Sequence, residues 1–123
     1  MRVSHWALAA LLIAAAAPAL ADGDAARGRT LFSRCAACHT VTDQNKLGPH
    51  LSGVVGRVAG TVAGYTYSKA MAAYGKTWDE ATLDAFLAGP AKAVPGTKMA
   101  APPIANAQDR ADIIAYLKTV PAS

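Results

Sequence analysis

The chain of 123 residues contains two cysteines, Cys35 and Cys38, and three histidines, His5, His39 and His50. Two cysteines cannot build the multi-bridge framework that staples many small exported domains. A four-ligand zinc site would need two further ligands, and His5 and His50 are poorly placed to supply them. Charged residues make up only 16% of the chain, and the cations are scattered rather than gathered into a basic run. That pattern points away from a nucleic-acid partner. No stretch reaches the roughly 20 apolar residues of a membrane-spanning helix, so no stable membrane insertion is expected. No clean alternation of apolar and polar residues marks a strand. The length allows one domain at most.

The first 21 residues differ from the rest. Arg2 is the only formal charge before Asp22, an apolar run extends from Trp6 to Ala17, and Pro18 and Ala19-Leu20-Ala21 follow. A charged start, a short apolar stretch and an A-x-A end make a secretory signal peptide. The expectation is therefore a leader over residues 1–21 that is removed, and a mature domain over residues 22–123. Without Arg2 the balance is 11 basic to 8 acidic residues, a mild +3. Export implies a periplasmic location. A domain of about 100 residues buries only a modest core, so a large apolar prosthetic group would supply much of the missing interior.

One short motif carries chemistry: Cys35-Ala36-Ala37-Cys38-His39. A C-x-x-C pair suits a redox dithiol, half a zinc site or a disulfide. A dithiol enzyme would want a strand before the pair, and none is seen. A disulfide would close a loop of two intervening residues and add little stability. With a histidine next to the second cysteine, the motif also suits covalent haem attachment. Each sulfur can form a thioether with a vinyl group, and the histidine can supply the proximal nitrogen to iron.

The rest of the chain reads as helices and loops. A helix is predicted over Asp24–Arg34, capped by Asp22 or Asp24, with Gly28 on the side of Leu31 and Phe32. Thr40–Gly64 has little regular structure and many turn formers, as suits a loop wrapped around a prosthetic group. Here His50 reads as a partly exposed loop histidine. A short helix, Ser68–Tyr74, ends at Gly75. Thr77-Trp78-Asp79-Glu80 reads as a capping box with Thr77 as N-cap. The helix it starts carries Leu83, Phe86 and Leu87 and stops at Gly89-Pro90. Ala91–Ala105 is expected to be irregular. Asn106 caps a last helix that buries Ile113, Ile114, Leu117 and Val120 and ends at Pro121. The fold class is all-α, with about four helices, long loops and essentially no sheet.

A haem iron held by His39 has a second axial position. Met71 and Met99 are the candidates. Met71 lies inside a short helix, where a core methionine is the ordinary reading. Met99 follows Pro95-Gly96 in a non-helical stretch far from His39 in sequence and is the favoured one. A thioether there would close the site and suit it to electron transfer.

At this point the sequence resembles the class I cytochromes c, the small soluble mitochondrial and alphaproteobacterial branch. The matching segments are Gly28-Arg29-Thr30-Leu31-Phe32, Cys35 to Val41, Gly48-Pro49-His50-Leu51-Ser52-Gly53, Gly56-Arg57, Tyr65-Thr66-Tyr67-Ser68, Trp78, Pro95-Gly96-Thr97-Lys98-Met99 and Asp112 to Leu117. The resemblance implies one covalent haem c anchored by Cys35 and Cys38, with His39 and Met99 as its iron ligands. It implies that the Pro49 carbonyl accepts a hydrogen bond from His39. Arg57, Tyr67, Ser68, Trp78 and Thr97 match residues that bond the haem propionates. Gly28 and Phe32 are expected against the last helix near Ile113 and Tyr116. Three positions depart from the pattern. Phe86 stands where a tyrosine is frequent, Met71 where an asparagine is frequent, and Ala101 where a phenylalanine is frequent.

The function implied is that of a monomeric electron shuttle, not an enzyme. It would pass single electrons between membrane redox complexes, such as a quinol–cytochrome c oxidoreductase and a terminal oxidase or photosynthetic reaction centre. Arg34, Lys92 and Lys98, with Lys46 as a further candidate, are the cations expected to dock such partners near the haem edge. The family's lysine ring is thinned here, since Ala91 occupies one of its positions. The competing readings are a peroxidase or gas sensor with an open sixth position, and a subunit fixed within a larger dehydrogenase.

Overall fold

The computed structural model describes residues 3–4, 9–12 and 22–123. The expected leader and its cleavage point after Ala21 lie mostly outside the described residues.

Among the described residues, four of the five α-helices start where a short polar side chain takes up orphan backbone N–H groups. In α1 (Ala25–Leu31) the Asp24 carboxylate accepts from the N–H of Ala26 and Arg27. A 3₁₀ turn, Phe32–Arg34, continues it. Ser68 caps α2 (Lys69–Tyr74), which ends on Gly75 at φ +68°, a left-handed conformation that favours glycine. Asp79, not Thr77, caps α3 (Glu80–Ala88), accepting from Thr82 N–H at 2.7 Å. Thr77 instead forms an antiparallel bridge with Val58, the one strand-like pairing among the described residues. Gly89 ends α3, and Pro90 then opens a further helix, α4 (Pro90–Ala93), inside a segment expected to be irregular. Proline's missing N–H costs nothing at the first helical position, so the residue that stops α3 can start α4. Asn106 caps α5 (Ala107–Lys118) through Asp109 N–H. Five α-helices are therefore observed among the described residues rather than about four, and the class is all-α.

The frame of the molecule is the crossing of α1 and α5. Gly28 is buried there: a Cβ on it would lie 1.8 Å from the carbonyl oxygen of Asp112 and 2.9 Å from Cβ of Tyr116. The Phe32 and Tyr116 rings meet with centroids 5.5 Å apart. Ile113, Ile114 and Leu117 share one helical face and are buried, while Val120 is half-buried. Asp112 is also buried, yet fully partnered. It accepts from Asp24 N–H, the Arg27 guanidinium and the Gln108 amide at 2.7–2.8 Å. These bonds hold its carboxyl at about 2, well below the usual carboxylate value, with the Asp24 N–H the leading cause and Arg27 next. Phe32, Val54, Ala59, Met71, Trp78, Leu83, Phe86 and Val94 complete the core.

Candidate haem site

The 3₁₀ turn carries the chain directly into the cysteine motif. Cys35 N–H and Ala36 N–H both donate to Phe32 O, and Cys38 N–H and His39 N–H both donate to Cys35 O. This tight winding gathers Cys35, Cys38 and His39 into one turn, so both sulfurs and the imidazole can serve one flat group. The thiols are half-buried and not bonded to each other. Burial pushes the Cys35 thiol up, with Arg34 opposing.

His39 Nδ1 lies 2.7 Å from the Pro49 carbonyl oxygen. A carbonyl only accepts, so Nδ1 carries the proton and Nε2 keeps its lone pair free to ligate. Burial lowers the His39 pKa, with the Pro49 bond opposing, so the ring is neutral at pH 7, as a ligand must be. Gly48 permits this approach, because a Cβ there would sit 2.5 Å from His39 Cε1. The loop is laced to the motif by Gly48 N–H to Cys38 O and Leu51 N–H to Thr40 O, both 2.8 Å.

Met99 lies after a turn in which Thr97 N–H donates to Val94 O and Gly96 has φ +91°. Thr97 Oγ1 accepts from Met99 N–H at 3.3 Å. The Met99 side chain is half-buried against the core and borders an open cavity of about 420 Å³ with Gly89, Pro90 and Pro103. Met71 is buried on α2 as a core residue.

The backbone around the one bridge joins two further candidates. Trp78 N–H donates to Arg57 O at 2.8 Å, and Gly56 N–H donates to Trp78 O at 2.9 Å. The half-buried Arg57 guanidinium donates to the carbonyls of Ser52 and His50, and it is in no ion pair among the described residues. Burial lowers its pKa, with Tyr67 opposing. Tyr67 accepts from Val62 N–H through its hydroxyl, leaving the hydroxyl proton to donate. Trp78 is buried, stacked at a tilt on Phe86 with centroids 5.0 Å apart. Ser68 Oγ serves as the α2 cap, accepting from Met71 N–H.

This donor set fits a haem. Two unpaired thiols and a neutral imidazole with a free nitrogen share one turn. An unmatched cation and a spare hydroxyl proton are available to two propionates. The family model for cytochrome c matches residues 25–121.

The chain belongs to the cytochrome c family.

Its cofactor is accordingly one covalent haem c, and it is a haem-based electron carrier. Cytochrome c2 of Rhodomicrobium vannielii is 44% identical over 121 residues, 97% of this chain and 97% of that protein. The cytochrome c-type cyt cy of Rhodobacter capsulatus is 46% identical over 105 residues, 85% of this chain, which spans 53% of that protein's length. The structure of cytochrome cH from Methylobacterium extorquens aligns with a TM-score of 0.77 at 51% identity, covering 79% of this chain and 99% of that one.

The expected docking cations are not equivalent. Arg34 lies 3.8 Å from Asp109, so part of its charge is matched. Lys98 donates to Thr66 O and lies 5.1 Å from the Tyr65 ring centroid. Lys46 donates to Ala36 O, inside the cysteine motif. Lys92 is exposed on α4. Between Lys46 and Gly48, Leu47 is 79% exposed, and its carbonyl accepts from the Tyr65 hydroxyl. Sequence reasoning missed Leu47 and also Asn45, which joins His50 N–H to Ala63 O. Neither carries a local signal, since both partnerships depend on how the long loop closes.

Proposed function

We propose that this chain is a soluble, exported, monomeric carrier that passes single electrons between membrane redox complexes and is not itself an enzyme. The observation that carries this reading is the His39–Pro49 hydrogen bond, which leaves one imidazole nitrogen poised beside two attachment thiols. When bound, the haem supplies a one-electron iron couple. Cys35 and Cys38 hold it by thioethers. His39 and Met99 would ligate its iron, leaving no open position for a small ligand. Pro49 holds the His39 ring and raises its basicity. Arg57, Tyr67, Trp78, Ser68 and Thr97 provide a cation and donors for the propionates. Phe86 has no hydroxyl to offer the Met99 sulfur.

Partners meet the site through weak, steered contacts. Arg34, Lys92 and Lys98, with Lys46 beside the cysteine motif, suit an acidic rim, and the exposed Leu47 suits an apolar contact. Quinol–cytochrome c oxidoreductases, terminal oxidases and photosynthetic reaction centres are the partner class. The leader over residues 1–21 directs the chain to the periplasm, and a mature N-terminus at Asp22 in exported material is the expected result.

An absorption spectrum of the oxidised holoprotein tests the closed site. A weak far-red charge-transfer band marks methionine–iron ligation. Prompt binding of cyanide or carbon monoxide without that band would support a peroxidase or gas sensor instead.

A further inference from the structure

The peptide unit between Pro49 and His50 is gripped at both ends. Its carbonyl accepts from His39 Nδ1 at 2.7 Å, and its N–H donates to Asn45 Oδ1 at 3.0 Å. The Asn45 amide orientation is forced. His50 N–H requires an oxygen, and Ala63 O, 3.2 Å from Nδ2, requires a donor. A trans peptide points its C=O and N–H in opposite directions. The three groups therefore form one continuous chain of hydrogen bonds: imidazole N–H to peptide, peptide N–H to side-chain amide. Accepting the peptide proton polarises the unit and makes the Pro49 oxygen a better acceptor. A stronger bond at Nδ1–H makes the ring a more basic ligand and favours the oxidised iron.

The rest of the loop is braced so that this peptide cannot turn freely. Arg57 takes the carbonyls of His50 and Ser52, and Val54 N–H takes that of Leu51. Every carbonyl from Pro49 to Ser52 is thus engaged. The buried Ser52 hydroxyl lies between His50 Nδ1 at 2.8 Å and Ser123 Oγ at 2.7 Å. Among these braces, Asn45 alone acts on the peptide unit that touches His39.

We propose that Asn45 is a positioning residue for the haem ligand: through the 49–50 peptide it sets the strength of the hydrogen bond between His39 and Pro49. This rests on the proposed role of His39 as iron ligand. The test uses isotopically labelled, reduced holoprotein. It reads the exchange rate of the His39 Nδ1 proton by NMR, together with the reduction potential. Asn45→Leu removes the acceptor at similar volume. Exchange should accelerate by roughly twofold or more, since the His39–Pro49 bond is weakened rather than lost, and the potential should rise. Asn45→Asp keeps an acceptor and charges it but loses the donor to Ala63. Because charge-assisted bonds are stronger, exchange should be slower than in the parent.

A role confined to bridging Ala63 predicts faster exchange in both variants and would overturn the proposal, as would unchanged rates in both. If Asn45→Leu fails to take up haem, Asn45→Asp decides alone: slower exchange supports the proposal, and equal or faster exchange overturns it. In the parent, His39 ring resonances displaced by the porphyrin ring current identify the ligand. Their absence would sink the ligand assignment itself. Displaced resonances with insensitive variants would sink only the role of Asn45.

Discussion

Gly28 and Asp112 touch through their backbones: a Cβ on Gly28 would lie 1.8 Å from the Asp112 carbonyl oxygen. The obstacle is main chain on a fixed helix, so α1 and α5 must part to admit even one methyl group. Gly28→Ala should therefore destabilise the protein by about 2–3 kcal/mol. That corresponds to a melting-temperature loss of roughly 10–20 °C in a domain of this size. A calorimetric scan of the holoprotein checks it, and a loss of under about 2 °C would mean that the crossing is looser than described.

Acid should weaken the same crossing. The Asp112 carboxyl titrates at about 2 in the fold, against an ordinary 3.8, because Asp24 N–H and Arg27 bond its ionised form. A depressed acid contributes stability that is complete above the ordinary value and fades as pH falls from about 4 towards about 2. Asp112→Asn should be less stable at pH 7. Its melting curves should approach those of the parent as pH falls from 5 to 2. Parallel curves across that range would show that Asp112 does not drive the acid loss.

Met99 and Met71 should separate cleanly. Met99→Ala should abolish the far-red band of the oxidised protein and open the iron to cyanide. Met71→Ala should keep the band but cost about 2–5 kcal/mol in stability, because Met71 is a buried core side chain. If only Met71→Ala removes the band, the axial assignment is wrong.

Lys46 and Lys98 should control association rather than the haem itself. Replacing both by Glu should slow association with an oxidase or reductase by about tenfold at low ionic strength, as loss of steering does. The difference should shrink above about 0.1 M salt, where screening acts within roughly 10 Å. Stopped-flow rates across a salt series provide the readout. A parent rate that stays flat at low ionic strength would count against a basic docking face.

Much of the fold is legible along the chain because its signals are local. Asp24 and Asn106 cap helices three or fewer residues ahead, and each does so in the structure, while Ser68, read as the first residue of its helix, is that helix's cap. Thr77 shows the limit of that rule. Asp79 offers a carboxylate nearer the helix, while Val58, 19 positions earlier, draws Thr77 into a bridge. The short helix α4 escaped prediction because proline marks both a helix end and a helix start, and only the path of the chain after Gly89 decides between them.

The site divides in the same way. Cys35, Cys38 and His39 lie within five residues, so their grouping follows from one tight turn and needs no distant contact. Sequence alone therefore determined the attachment motif, the helical class and the caps of the first and last helices. Tertiary structure decided which groups meet across the closed chain. It joined Asp24 to Asp112 across 88 positions, set Trp78 against Gly56 and Arg57 by one backbone bond each, and brought the 49–50 peptide between His39 and Asn45. The physical reason is range. A capping bond or a C-x-x-C-H turn is chosen by neighbours a few dihedral angles away. A contact across a long loop must first meet the entropy of closing that loop, and only the packed core repays it.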